Sequence, residues 1–240
     1  MTSFMAADGD SSLVVESALN STRVAPYLFD QLLALGALYL STTAQASQDL
    51  CLRYATELQT RALGQFLETR ENISETNFIP AFLFTSFLGV HVLYNTFRDH
   101  QDNLGELVSA FVEYARVHRG IRAVTADYWL QILASNLVSL LSIVEIRNRI
   151  DHLKAGIETI ELHKQLERLS DSSRVPVTAS IDALQRMQWV PDLANNAQSS
   201  INRIQAALAW PVIISDDYID ALYLRHPEAL AVLAFFLAFV

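Results

Sequence analysis

The sequence predicts an all-α fold, a single multi-helix domain of about ten helices. Three observations predict it. Seven Gly and six Pro are few for 240 residues, which favours long helices joined by short loops. Half the chain is apolar, 51%, and its apolar residues recur at helical spacing. No stretch alternates as a half-buried strand would, and neither an internal repeat nor a glycine-rich phosphate loop is present.

Residues 1–12, MTSFMAADGDSS, lack the basic-then-apolar pattern of a secretory signal and read as a flexible tail before a domain over 13–240. Leu13 to Leu19 is a short apolar segment that fits one helical stretch. Pro26 then opens a strong helix, PYLFDQLLALGALYLSTTA, whose stripe is Leu28, Leu32, Leu35 and Tyr39, widened by Leu33, Ala37 and Leu40, so that it is expected to be buried on more than one side. Ser47 can cap the next helix, which runs to about Thr69 with Leu50, Tyr54, Leu58, Ala62 and Phe66 inward. Its Arg53, Glu57, Arg61 and Glu68 then face water. Ser74 is placed to start a third helix, with Pro80 tolerated only in its first turn. FIPAFLFTSFLGVHVLYNTF belongs at the centre of the fold. His91 lies within it and is the histidine expected to be buried, bonded to a backbone carbonyl. Gly89 is placed to admit a close neighbour or a ligand.

Asp102 or Asn103 can cap a fourth helix, with Leu104, Leu107, Val108, Phe111, Ala115 and Val117 inward. Arg116, His118, Arg119 and Arg122 form a modest basic knot, expected to pair with acids of the fold. Tyr128 to Val144 is another apolar run. Glu145 to Leu169 reads as one long amphipathic helix through Ile146, Ile150, Leu153, Ile157, Ile160 and Leu166. SDSSRVPVT is the best loop. Thr178 or Ser180 would cap the helix after it, through Ile181, Leu184, Met187 and Val190. Pro191 opens another, stopped by Trp210-Pro211. Ser215 can cap the next, with Asp216 and Asp217 in its first turn, and His226-Pro227 ends that helix and opens the last.

From Ala229 to Val240 no polar residue appears. Twelve apolar residues are too few to span a bilayer, so a buried helix is expected, with no membrane span. A helix apolar on all sides calls for neighbours on all sides. The expectation is therefore that the domain continues past Val240, or that a protein partner or a second copy covers this helix.

Charge and composition exclude several functions. A net charge of −9 has the wrong sign for a nucleic-acid surface, so direct nucleic-acid binding is not expected. A lone Cys51 leaves no disulfide and no cysteine-cluster zinc site within these residues. No GxSxG, HExxH or CxxC motif occurs. The chain reads as intracellular, not an enzyme, and without a cofactor. One enzymatic signal stands out: Asp216, Asp217 and Asp220 form a DDxxD run of the kind that holds magnesium and a diphosphate in helical isoprenoid synthases. Against that chemistry, no second metal motif accompanies it, NNAQSSINR near Asn196 having no Glu in place. Acids in a first helical turn are also favoured simply by the helix dipole. Capping is the preferred reading of the trio, isoprenoid-type catalysis the remote one.

Four blocks carry a family resemblance: PYLFDQLLALGALYLS; LQTRALGQFLETRENISETNFIPAFLFTSFLGV; LGELVSAFVEYARVHRGIRAV; and AWPVIISDDYIDALYLRHPEALAVLAFFLAFV. Their most distinctive features are Arg119-Gly120 after an amphipathic helix, and the spacing from Trp210-Pro211 to Pro227-Glu228-Ala229-Leu230. Together they resemble the C-terminal regulatory domain of fungal Zn2Cys6 transcription factors, in the branch that includes the sterol uptake control protein. The six-cysteine DNA-binding module of that family is missing from these residues. The resemblance implies a transcription regulator or co-regulator acting in the nucleus, shuttling from the cytoplasm, with metabolic or secondary-metabolite gene clusters as targets. In sterol-responsive members it implies an apolar pocket for a sterol or lipid. Phe87, His91 and Tyr94, with Phe235 and Phe236, are the candidate lining residues here.

Overall fold

The computed structural model describes residues 11–43, 47–123, 126–135, 137, 156–169, 174–188 and 209–238. Every regular element among them is helical. In chain order the helices are α1 (Ser11–Ser21), α2 (Pro26–Thr43), α3 (Gln48–Thr69), α4 (Phe78–His100), α5 (Leu104–Ala123), α6 (Trp129–Leu133), α7 (Ile160–Leu169), α8 (Val175–Met187), α9 (Asp216–Tyr223) and α10 (Pro227–Leu237). The all-α expectation is met. Within it the chain gathers into two compact units, Met1–Gln101 with Arg116–Ser139, and Asp102–Ala115 with Leu140–Val240.

The first unit is built on α2, α3 and α4, with α2 packed against both others. Tyr27, Phe66 and Phe84 form its aromatic centre. The two Phe rings lie 4.4 Å apart, and Tyr27 meets them edge-on at 5.4 and 5.2 Å, the geometry that ring quadrupoles favour. Helix α4 starts at Phe78, not near Ser74. Asn77 folds back so that its Oδ1 accepts the Ser74 amide at 2.7 Å, and Pro80 still falls in the first turn. Of the described helices, α4 alone is long and apolar enough to cross a membrane. Here it is the central core helix, with Leu83, Phe84, Phe87, Leu88, His91 and Leu93 buried. The ring of Phe78 stacks on Tyr128 at 5.3 Å, and the Tyr128 hydroxyl donates to the Ile73 carbonyl.

In the second unit Trp210 is the hub. Its ring stacks on Phe236 at 4.1 Å, lies 6.1 Å from Phe111 and meets Tyr218 edge-on, while its Nε1 donates to the Ala183 carbonyl at 2.9 Å. The Tyr218 hydroxyl donates to the Ala229 carbonyl at 3.0 Å, and burial raises its pKa well above that of a free phenol. Asn103 caps α5, accepting from Gly105 and Glu106 N–H. Leu107, Val108, Phe111, Val112, Tyr114 and Ala115 are buried on α5, whereas Leu104 and Val117 are exposed, against expectation.

Three further boundaries differ from the sequence reading. Residues 156–159 form a turn and α7 begins only at Ile160, leaving Ile157 91% exposed. The Gln188 amide explains that turn: it accepts from Thr159 Oγ1 at 2.5 Å, donates to Glu158 at 2.9 Å, and lies where a Cβ on residue 156 would overlap it. Any larger residue there would have to displace that amide. Helix α8 begins at Val175, with Pro176 near its start, rather than at a cap on Thr178 or Ser180. Residues 209–213 are helical, so Trp210-Pro211 stops no helix. The expectations for residues 1–10, 138–155 (His152 among them), 170–173 of the SDSSRVPVT loop, 189–208, 239 and 240 lie outside the described residues.

Candidate functional site

Helix α2 carries the least expected burial pattern in the molecule. Its inward residues are Tyr27, Leu28, Asp30, Gln31, Ala34, Leu38 and Ser41. The stripe forecast through Leu32, Leu35 and Tyr39 is therefore displaced, with Tyr39 exposed and the other two half-buried. Two strongly polar side chains go inside, and Phe29, Leu33 and Leu40 point outward on a shared face. Helix α3 departs from expectation only in its first half: Leu50 and Tyr54 are exposed and Ala55 is buried, while Ala62 and Phe66 are buried as expected.

The polar residues inside have specific partners. Arg61 grips Asp30 with two parallel bonds, Nε to Oδ2 and a terminal nitrogen to Oδ1, each 2.6 Å. Gln65 Nε2 adds a longer contact at 3.4 Å. A two-pronged guanidinium is the donor geometry that fits a carboxylate taken from water, and Asp30 in turn raises the Arg61 pKa. Arg61, expected on a wholly solvated face, serves here as the partner of a buried acid.

Gln31 and His91 are both fully buried and face one another, Gln31 Nε2 lying 3.4 Å from His91 Nδ1. Burial, reinforced by the positive charge of Arg98, lowers the His91 pKa to about 4, so the ring is neutral near pH 7. His91 is thus the buried histidine the sequence indicated, but its partner is a side-chain amide rather than a backbone carbonyl. Gln31 Oε1, His91 Nε2 and the Oδ1 of Asn95, one turn along α4 from His91, have no hydrogen-bond partner among the described residues. Gly89 admits a neighbour, and that neighbour is the His118 ring, which a Cβ at residue 89 would overlap.

The candidate lining residues fall in two places. Phe87, His91 and Tyr94 share a face of α4 in the first unit, with Phe87 buried and the Arg98 guanidinium 5.9 Å from the Tyr94 ring centre. Phe235 and Phe236 belong to α10 in the second unit, where Phe236 packs on Trp210.

The acidic trio sits where helix-start logic puts it. Ser215 has extended backbone (φ −75°, ψ 160°), and its hydroxyl accepts from the Tyr218 amide at 3.2 Å. Asp216 and Asp217 occupy the first turn, and Asp216, Asp217 and Asp220 are exposed while Tyr218 and Ile219 between them are buried. Among the described residues no group of three His, Cys, Asp or Glu is arranged to hold a metal ion.

Helix α10 is buried along one stripe. Ala229, Val232, Leu233 and Phe236 are buried, Leu230, Phe235 and Leu237 are half-buried, and Pro227, Ala231 and Ala234 are exposed.

The residue that sequence reasoning missed is Gln31. It lies inside an apolar run, and only the second stripe through Tyr27, Gln31, Ala34, Leu38 and Ser41, equally periodic but more polar, points to it. No protein-family model, curated protein or solved structure matches the chain.

Proposed function

We propose that this chain is the regulatory and interaction domain of a fungal transcription regulator or co-regulator, working through contacts with other proteins rather than with DNA. It would act in the nucleus, shuttling from the cytoplasm, on genes of a metabolic cluster. The four blocks that resemble Zn2Cys6 regulatory domains support the reading, as does the net charge of −9, which disfavours a phosphate backbone. The observation that carries it is the outward face of α2. Phe29, Leu33 and Leu40 stand exposed there while Asp30 and Gln31 are buried behind them. A helix that keeps large apolar side chains in water and polar ones inside is arranged for contact with something other than its own core. The outward face of α2 is thereby added to α10, where the sequence placed the partner or second copy.

The test is an allele exchange in the host fungus. Leu33→Glu introduces a charge on the exposed face without touching the core, so helix content by circular dichroism should remain that of the wild type. Transcript profiles should change as they do on deleting the locus. Wild-type profiles in both strains would overturn the proposal.

A further inference from the structure

Gln31 and His91 sit among apolar neighbours one turn away on their own helices, Leu28 and Ala34 on α2, Phe87 and Leu88 on α4, all buried. The two polar groups satisfy each other only once. With the Gln31 amide donating to Nδ1, the His91 Nε2 proton and the Gln31 carbonyl oxygen are left over, the two atoms found without partners. With the amide turned over and Nδ1–H donating to the carbonyl, the leftovers are the Nε2 lone pair and the amide protons. Either way at least one donor and one acceptor remain, whichever the tautomer. Asn95 adds a further polar atom without a partner on the same helix, one turn on. A group that only accepts, such as a carboxylate or phosphate, answers half of this demand and brings a charge into an apolar interior. A hydroxyl answers both kinds of demand, accepting from the donor and giving its one proton to an acceptor.

We propose that Gln31 and His91, with Asn95 beside them, form a buried subsite for a neutral hydroxyl group, which gives one hydrogen bond and accepts another. Two sources carry that chemistry: an internal water and the hydroxyl of an uncharged alcohol. The proposal stands on the chemistry of these three side chains and is independent of any role in transcription.

The experiment follows the His91 ring nitrogens by NMR in the full 15N-labelled chain, with His91→Asn to assign the signal. Two probes of equal chain length are titrated, 1-decanol and decanoate. A persistent cross-peak from the His91 ring to water, with no response to decanol, identifies the water. A saturable shift with decanol and none with decanoate identifies an alcohol site. In that case Gln31→Leu should weaken decanol binding about tenfold, the equivalent of one buried hydrogen bond. Neither a water cross-peak nor a decanol response in the wild-type chain overturns the proposal, and so does a decanoate response as large as that of decanol. Because these readings come from the wild type, they stand whether or not Gln31→Leu folds.

Discussion

Lowering the pH should weaken this protein through His91, by an amount that follows from its burial. The ring has a pKa of about 4 in the folded chain against 6.5 for an ordinary histidine. The folded value is the lower one, so the unfolded chain takes up the proton first as the pH falls. Stability from this residue is complete at neutral pH, declines from about pH 6.5, and stops declining near pH 4, where the folded form also protonates. One pKa unit is worth about 1.36 kcal/mol, so the loss amounts to about 2 kcal/mol at pH 5 and about 3 kcal/mol at pH 4. Carboxylates titrate over the lower part of that range, so the measurement is a difference. Urea unfolding by far-UV ellipticity is run from pH 7 to pH 4 on the wild type and on His91→Asn, which keeps an amide beside Gln31 but has no proton to gain. At pH 7 the variant is the less stable of the two, having lost packing. The gap should then narrow by about 2 kcal/mol at pH 5. Curves that stay parallel from pH 7 to pH 4 would show that His91 is not buried as a neutral ring.

Three further outcomes test the packing. Gly156→Ala should destabilise by about 1–3 kcal/mol in thermal unfolding, because the new methyl overlaps the buried Gln188 amide and breaks its bonds to Thr159 and Glu158. Arg225 has a positive φ of 60° and closes α9: its N–H reaches the Leu222 carbonyl, and His226 N–H reaches that of Ala221. Its guanidinium donates to the Gly105 carbonyl and Ser109 Oγ, both at 2.7 Å. Arg225→Ala and Arg225→Gly lose those bonds alike, so the glycine variant should be more stable by about 1 kcal/mol, the backbone strain alone; equal stability would deny the left-handed conformation. Ser215→Ala should cost about 1 kcal/mol by removing the cap of α9, and millimolar Mg2+ should leave the melting temperature of the wild type unchanged, whereas a clear rise would restore the metal reading of Asp216, Asp217 and Asp220.

What the sequence determined by itself is local. Proline at residues 26 and 227, Asn103 and Ser215 set helix starts through bonds and torsions made within a few residues, and each start falls where those residues put it. Helical class followed equally from the scarcity of turn formers. Only the tertiary structure decided how each helix is rotated about its own axis. Along α2 two stripes compete, and local chemistry favours the one without Gln31 and Asp30. Polar groups can be buried only if partners arrive, and theirs come from α3 and α4, Arg61 and His91, separated from them by 31 and 60 residues. The break ahead of α7 has the same origin, since Gly156 reads as an ordinary helix residue until the Gln188 side chain, from another helix, occupies its space. Pairings over such distances leave no mark in any short window of sequence, because the free energy that fixes them exists only once the helices have met.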